Sequence, residues 1–294
     1  MTVGKIERLD DLPAHTATIT GIHRHPAISH VILTTSRDGY LKMHDEEKEL
    51  CNIKIAKTRI LSSALTRTKA YLSSYKKVMS FDLATNTITP YKVHFVNGQK
   101  MKLFQMENYL GMVDEKTIHI VDSENKQLVQ SIKTMKPATG LQFFGEHELI
   151  YCVNDTLYHY DLRSQACLNT FTESNFQTTS LAMSGDCAHG FMATGASNGV
   201  VHLYEWKNEK RMLLKEFGNL TTSINGLHFC NQHLVMHSDV KKDHLRVVNV
   251  PQLQVLSNWP TASTPLGYVQ CCSFVDNVLC IGNSKGKIGK YEIN

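Results

Sequence analysis

The hydrophobic and polar positions of the chain fall into a strand-turn-strand unit that recurs about every 40 residues, a period within the range of propeller arrays. The clearest copy runs over residues 179–217. Residues 179–183 read as one strand and 191–195 as a second. The tight turn Ala196-Ser197-Asn198-Gly199 follows, then residues 200–206 as a third strand and 212–217 as a fourth. In that turn the Asn-Gly pair is expected to supply the positive φ angles a short hairpin needs.

Aligning on this turn finds its relatives at Ser36-Arg37-Asp38-Gly39, Ser74-Tyr75-Lys76-Lys77, Asp114-Glu115-Lys116, Asn154-Asp155-Thr156, the longer stretch 238–244, and Asn283-Ser284-Lys285-Gly286. Each third strand ends near an aromatic or aliphatic residue followed by an acidic or amide one: Phe81-Asp82, Val121-Asp122, Tyr160-Asp161, Tyr204-Glu205, Val248-Asn249 and Tyr291-Glu292. The position matches the Trp-Asp dipeptide of WD repeats, although the tryptophan is absent. Seven copies of a four-stranded unit predict an all-β fold, a seven-bladed WD-repeat β-propeller forming a single domain over residues 1–294. Residues 55–110 lack Gly-rich turns and are assigned by spacing, which leaves six or eight blades open. The last copy stops after its third strand, and the first copy's opening strand is expected near Thr16. The 1–15 segment is therefore expected to supply the missing outer strand through residues 3–9 and close the ring, removing an open sheet edge.

Composition narrows the function. No apolar run approaches the roughly 18 residues of a membrane span, and the first ten residues carry charges of both signs without the apolar stretch of a secretory signal. The eight cysteines include no C-x-x-C pair, so buried reduced thiols are expected rather than disulfides or zinc. His23-Arg24-His25 would place two histidines on one face of a strand without a third ligand. Phosphate-binding glycine loops, nucleophile elbows and H-E-x-x-H pairs are missing. These observations favour a binding platform over an enzyme, with no cofactor, metal, small-molecule substrate or membrane partner.

The net charge of +4 is weak, but its distribution is uneven. Between Leu50 and Met106 a single acid, Asp82, faces ten basic residues. A wedge of one sign attracts phosphate without reading sequence. Lys54, Lys57, Arg59, Arg67, Lys69, Lys76 and Lys77 are the candidate RNA- or phosphate-binding residues. An ordinary solvated face, balanced by acids on neighbouring blades, is the alternative.

The C-terminal half carries a more specific signal. Phe191 to Tyr204, Asn219-Leu-Thr-Thr-Ser-Ile224, His244-Leu-Arg-Val-Val-Asn-Val-Pro251, Ser257-Asn-Trp-Pro-Thr261 with Thr264-Pro-Leu-Gly267, and Ile281-Gly-Asn-Ser-Lys-Gly-Lys287 together resemble the Utp-eighteen family. The N-W-P-T and T-P-L-G segments are the most specific; residues 170–294 match well and the first half matches in architecture. The resemblance implies a nucleolar, non-catalytic scaffold of the small-subunit processome in pre-18S rRNA processing. Its implied partners are other WD-repeat subunits of the UtpB subcomplex, pre-ribosomal RNA and the U-three snoRNP. Larger relatives carry a helicase-recruiting motif ahead of the propeller; only about 15 residues precede the first blade here, and Leu103-Phe104-Gln105-Met106-Glu107, which loosely resembles that motif, is expected to be blade core.

By the loop order of WD propellers, residues 219–223, 241–244, 259–266 and 283–287 should share one face. Asn219, Thr221, Thr222, Lys242, Trp259, Pro260, Thr261, Pro265 and Leu266 are the candidate protein-interface residues, with Trp259 either an aromatic anchor or buried in a seam between blades. The competing functional class is a substrate adaptor or histone- or peptide-reading module, which would present acidic or aromatic groups at the mouth of the disc.

Overall fold

A computed structural model describes residues 6–293 except 29, 46–47, 56, 58, 76, 92–100, 106–108, 145–146, 174–175, 186–188, 257–258, 262–263 and 276. The described residues form no helix. Their strands make seven four-stranded antiparallel sheets, the blades of a seven-bladed β-propeller. Blade 1 is Ile19–Arg24, Ile32–Ser36, Tyr40–His44 and Glu49–Lys54; blade 2 is Ser62–Leu65, Lys69–Ser74, Lys77–Asp82 and Ile88–Tyr91. Blade 3 is Lys102–Gln105, Tyr109–Asp114, Thr117–Asp122 and Leu128–Lys133; blade 4 is Ala138–Phe144, Glu148–Val153, Thr156–Asp161 and Ala166–Thr172. Blade 5 is Thr178–Gly185, His189–Ala196, Val201–Lys207 and Lys210–Phe217; blade 6 is Gly226–Cys230, His233–His237, Leu245–Asn249 and Gln254–Val255. Blade 7 takes Val269–Val275, Val278–Asn283 and Ile288–Ile293 from the C-terminal end and its fourth strand, Ile6–Arg8, from the N-terminal end.

Strand burial explains why simple alternation was only part of the signal. Second strands are buried on both faces, as in Ile32–Ser36 and Lys69–Ser74, and read as continuous apolar or small-residue runs. Fourth strands, such as Glu49–Lys54 and Leu128–Lys133, are largely exposed and read as polar alternation.

The dipeptide at the end of each third strand has a local cause. In blades 1, 3, 4 and 5 the register shifts there, between Met43/His44, Ile120/Val121, His159/Tyr160 and Leu203/Tyr204. A bulge at this point sharpens the strand twist and turns an extra side chain inward. The residue that follows organises the next turn. Asp82 Oδ1 accepts the amides of Ala84 (3.1 Å) and Thr85 (3.0 Å), Asp122 Oδ1 those of Glu124 (2.8 Å) and Asn125 (3.0 Å), and Asn249 Oδ1 that of Gln252 (3.0 Å). A short carboxylate or amide that bonds its own backbone two or three residues on is what such a turn requires. The tryptophan is dispensable because the hydrophobe needs only to be buried.

The Ala196–Gly199 turn differs from expectation in one detail. Only Gly199 takes a positive φ, +91°. Asn198 instead uses its side chain, whose Oδ1 accepts the Val200 amide at 3.1 Å. A Cβ on Gly199 would stand 2.5 Å from the Leu220 carbonyl oxygen, so the position is closed to other residues by both backbone and space.

The chain divides into two compact units, one holding blades 4–6 and the other blades 1–3 and 7. In the first, Ile150, Cys152 and Leu157 of blade 4 meet Leu181, Met192 and Trp206 of blade 5. Ala193, Leu203 and Phe217 of blade 5 in turn meet Leu227, Leu234 and Met236 of blade 6. In the second, Leu33 and Leu41 pack against Leu65, Leu72 and Phe81, and Tyr71 and Val78 against Leu103, Leu110 and Met112. Leu103 is thus core, as expected; Met106 and Glu107 lie outside the described residues.

Apart from Ile6, the closing strand also lies in the second unit. Past Arg8 the chain continues along the last strand: the Leu9 amide donates to the Lys290 carbonyl (2.9 Å), Leu12 to Ile288 (3.0 Å) and His15 to Gly286 (2.9 Å). Leu12 packs with Ile19, Ile22, Ile32, Cys280 and Ile288. The strand spans Ile6–Arg8, and residues 3–5 of the expected span lie outside the described residues. Blade 1 opens at Ile19 rather than near Thr16, because Thr16 is engaged elsewhere: its amide and hydroxyl both donate to Asp38 Oδ2, at 3.0 and 3.2 Å.

Candidate nucleic-acid interface

The basic residues between Lys54 and Lys77 do not form one surface. In an antiparallel blade, the turn between strands two and three and the connector to the next blade lie at one edge, and the other two turns at the opposite edge. Hydrogen bonds tie the first set together. Ile55 donates its amide to the Gly39 carbonyl (2.9 Å), Leu61 to Ser73 (2.9 Å), and the Ser74 hydroxyl to the Arg59 carbonyl (2.9 Å). Lys54, Lys57, Arg59 and Lys77 therefore share an edge, all exposed. Lys76, in the same turn, lies outside the described residues.

Arg67 and Lys69 occupy the opposite edge, a correction to the expected single wedge. The Arg67 carbonyl lies 3.1 Å from His25 Nε2 in a turn of blade 1, and Lys69 is registered against Asp82. The Asp82 carboxyl is held below its ordinary range chiefly by the Thr85 amide and hydroxyl, with Lys69 contributing. A six-residue strand separates the two edges, roughly 17 Å at about 3.3 Å per residue.

The shared edge extends where the sequence run did not reach. Arg37, in the blade 1 turn, is exposed there. The blade 7 turn joins it, since the Thr18 hydroxyl donates to the Ser284 carbonyl (3.2 Å) and the His15 amide to Gly286. That turn adds exposed Lys285 and Lys287. Among the described residues of the segments 36–39, 54–61, 74–77 and 283–287, the one acid is Asp38. Its oxygens are occupied from inside: Oδ2 lies 3.2 Å from His15 Nδ1 and accepts both Thr16 donors, while Oδ1 accepts the Tyr40 amide at 2.9 Å. Burial alone would raise the Asp38 carboxyl, but the Tyr40 and Thr16 amides and His15 outweigh it and hold it below the usual value. The edge thus presents cations outward. Lys54 Nζ lies 5.5 Å from the centroid of the Tyr40 ring, a cation–π contact that steadies it. Arg37, Lys285 and Lys287 were findable in principle, because all three lie in or beside turns that the sequence alignment had already matched.

In the other unit, three of the four loops expected to share a face do meet. Thr222 Oγ1 lies 2.7 Å from Ser238 Oγ and 3.3 Å from His244 Nδ1, and Lys241 Nζ donates to Thr221 Oγ1 at 3.1 Å. Asp243 fastens the third loop, its Oδ1 accepting the amides of Leu266 (2.6 Å) and Gly267 (2.9 Å) while its own amide donates to the Gly267 carbonyl (2.8 Å). The fourth loop, 283–287, belongs to the unit with the basic edge.

Of the two readings of Trp259, exposed anchor or buried residue, the structure shows the buried one, with the residue only 6% exposed. Leu266 is also buried, by the Asp243 clasp on its amide. Asn219, Thr221, Lys242, Thr261 and Pro265 stay exposed, and Thr222 and Pro260 are half-buried. Ser257 and Asn258 lie outside the described residues. The apolar surface here comes instead from Val240, 56% exposed, and Tyr268, 38% exposed, with Lys242 Nζ 5.8 Å from the Tyr268 ring centroid.

His25 begins a turn rather than sharing a strand face with His23: its Nδ1 accepts the Ala27 and Ile28 amides, while His23 Nε2 lies 2.8 Å from Ser63 Oγ. No group of three or more His, Cys, Asp or Glu among the described residues is arranged to hold a metal ion. Burial pushes the thiols of Cys271 and Cys280 up to about 12, whereas Cys167, on a fourth strand, is exposed against expectation. A cleft of about 980 Å3 beside the closing strand is lined by the exposed Arg8–Asp11 ion pair (2.8 Å) and by His30, Ile32 and Lys290. No helix of the described residues is long and apolar enough to cross a membrane.

Fold and surface together define a β-propeller with a cationic edge on one compact unit and a clasped loop cluster on the other. In sequence the chain is similar to proteins named U3 small nucleolar RNA-associated protein 18. The probable Schizosaccharomyces pombe protein is 29% identical over 157 residues, 51% of this chain and 30% of that protein. The Arabidopsis thaliana homologue is 30% identical over 201 residues, 65% of this chain and 36% of its own length. The Homo sapiens homologue is 25% identical over 249 residues, 76% of this chain and 43% of its own length. No family model matches. The resemblance read from the C-terminal half is borne out, and a match covering 76% of the chain necessarily reaches into the first half as well. The chain spans about a third of the length of the first two relatives.

Proposed function

We propose that this chain is a non-catalytic scaffold subunit of the small-subunit processome, acting in the nucleolus in ribosome biogenesis and pre-18S rRNA processing. The observation that carries this reading is the similarity to U3 small nucleolar RNA-associated protein 18 in fission yeast, Arabidopsis and human. Two surfaces fit the role. The edge formed by Arg37, Lys54, Lys57, Arg59, Lys77, Lys285 and Lys287 is suited to the phosphates of pre-ribosomal RNA or of the U3 snoRNP, because such contacts supply affinity without sequence readout. The loop cluster around Thr221, Lys242, Pro265 and Tyr268 is suited to a sister WD-repeat subunit of the UtpB subcomplex.

The test is depletion of the protein in its own cells, with northern analysis of small-subunit precursors and recovery of the tagged protein's partners. Accumulation of unprocessed pre-18S species and co-recovery of U3 RNA are expected. Normal processing with no U3 RNA recovered would overturn the reading.

A further inference from the structure

The cationic edge carries a group that phosphate binding does not use. Tyr75 stands at the tip of the blade 2 turn with 44% of its surface exposed. The aligned turns place Arg37, Glu115, Asp155, Ser197 and Ser284 at this position, all polar. A turn tip has no packing need for a large ring, so folding does not account for a tyrosine there. Its surroundings are cationic. Lys77 follows two residues later and is registered against Ser74, whose hydroxyl holds the Arg59 backbone alongside at 2.9 Å. Lys57 lies on the same connector, and Lys54 rests over Tyr40.

We propose that this edge binds single-stranded rather than duplex RNA, with an unpaired base stacked on the Tyr75 ring and the flanking phosphates held by Lys54, Lys57, Arg59 and Lys77. The inference rests on the RNA-binding reading above and adds the form of RNA that the edge accepts. Single-strand sites combine a positive track for the backbone with aromatic platforms for base faces. A duplex covers its base faces by its own stacking and would meet the cations alone.

The experiment measures binding of a fluorescent mixed-sequence 12-nucleotide RNA, as a single strand and as a blunt duplex, to the purified full chain at fixed salt. The single strand is expected to bind more tightly. Tyr75→Ala should weaken single-strand binding about tenfold or more and leave duplex binding unchanged, while Tyr75→Phe retains the wild-type affinity. Because Tyr75 is exposed, both variants should melt with the wild type. Ultraviolet crosslinking of the unmodified chain, with the adduct mapped to the Tyr75 peptide, gives a readout that needs no variant. Wild-type affinity of Tyr75→Ala for the single strand, or crosslinks confined to other peptides, overturns the stacking. A triple Lys54→Glu, Lys57→Glu, Arg59→Glu chain separates the levels. If it loses binding while Tyr75→Ala does not, the RNA reading stands and the stacking falls; if it binds as wild type, both fall.

Discussion

At the scale of single residues, the most constrained polar group is Glu173, buried in the unit of blades 4–6. One carboxylate oxygen accepts from the Thr194 hydroxyl (3.1 Å) and the Tyr204 hydroxyl (2.9 Å) and lies 2.9 Å from His202 Nδ1, while the other pairs with the Arg211 guanidinium. Arg211 also stacks on the Phe171 and Tyr204 rings and donates to the Thr172 carbonyl. Burial would raise the Glu173 carboxyl, but His202, Arg211 and Tyr204 together bring it down to about 2. A folded value below the unfolded one means the stabilisation is complete above about pH 4.5 and lost as pH falls through about 2. The shift corresponds to about 3 kcal/mol at neutral pH. Denaturant midpoints followed from pH 6 to pH 2 should fall steeply in the native chain and less so in Glu173→Gln. That variant should also lose about 3 kcal/mol at pH 7, because Arg211 is left without its partner. Equal pH profiles for the two proteins would contradict the assignment. Gly199 is the residue-scale counterpart in the backbone: Gly199→Val combines a left-handed φ with the Leu220 carbonyl at contact distance, and a melting-temperature loss equivalent to about 2 kcal/mol or more is expected.

At the scale of elements, the blade is built around its bulged third strand and the acid that follows. Asp122→Ala removes three hydrogen bonds from one turn, two from backbone amides and one from the Asn125 side chain, and equilibrium unfolding should register about 1 kcal/mol; an unchanged midpoint would mean the turn closes without its carboxylate. The closing strand and the segment that follows it are held by a few backbone bonds and by the buried apolar side chain of Leu12. Leu12→Ala should cost about 2–5 kcal/mol. Truncation before residue 15 should instead expose the Ile288–Ile293 edge, and size-exclusion chromatography should show self-association rather than a clean monomer.

At the scale of the whole molecule, the proposed RNA binding rests on how charge is distributed over the blade edges. With the seven described cations of the edge engaged, the logarithm of single-strand affinity should fall with the logarithm of salt at a slope of about −5, from about −0.7 per phosphate. Reversing Lys285 and Lys287 should flatten the slope, since the structure adds them to the edge. An unchanged slope would confine binding to blades 1 and 2.

Seven blades were expected with six or eight left open, while the blade order, the turn between strands two and three, and the hydrophobe followed by an acid or amide at the end of the third strands were legible in the sequence. Each depends on bonds within a few residues, such as Asp122 to Asn125, or on a burial pattern repeated seven times. The missing fourth strand of the last blade was legible for a similar reason: a three-stranded remainder at one end matched a spare strand at the other. The functional surface was less so. Arg59 and Arg67 are neighbours in the charge run yet lie on opposite edges, because the strand Ser62–Leu65 between them carries the chain from one edge to the other. Arg37 and Lys285, far apart in sequence, are brought to the same edge by blade pairing. Trp259 could be read as anchor or seam until its burial was known, and Glu173 looked like one acid among many until His202 and Arg211, 29 and 38 residues away, closed around it. Local hydrogen bonding and periodicity determined what the chain becomes. Contacts between strands distant in sequence decided which side chains remain outside to bind.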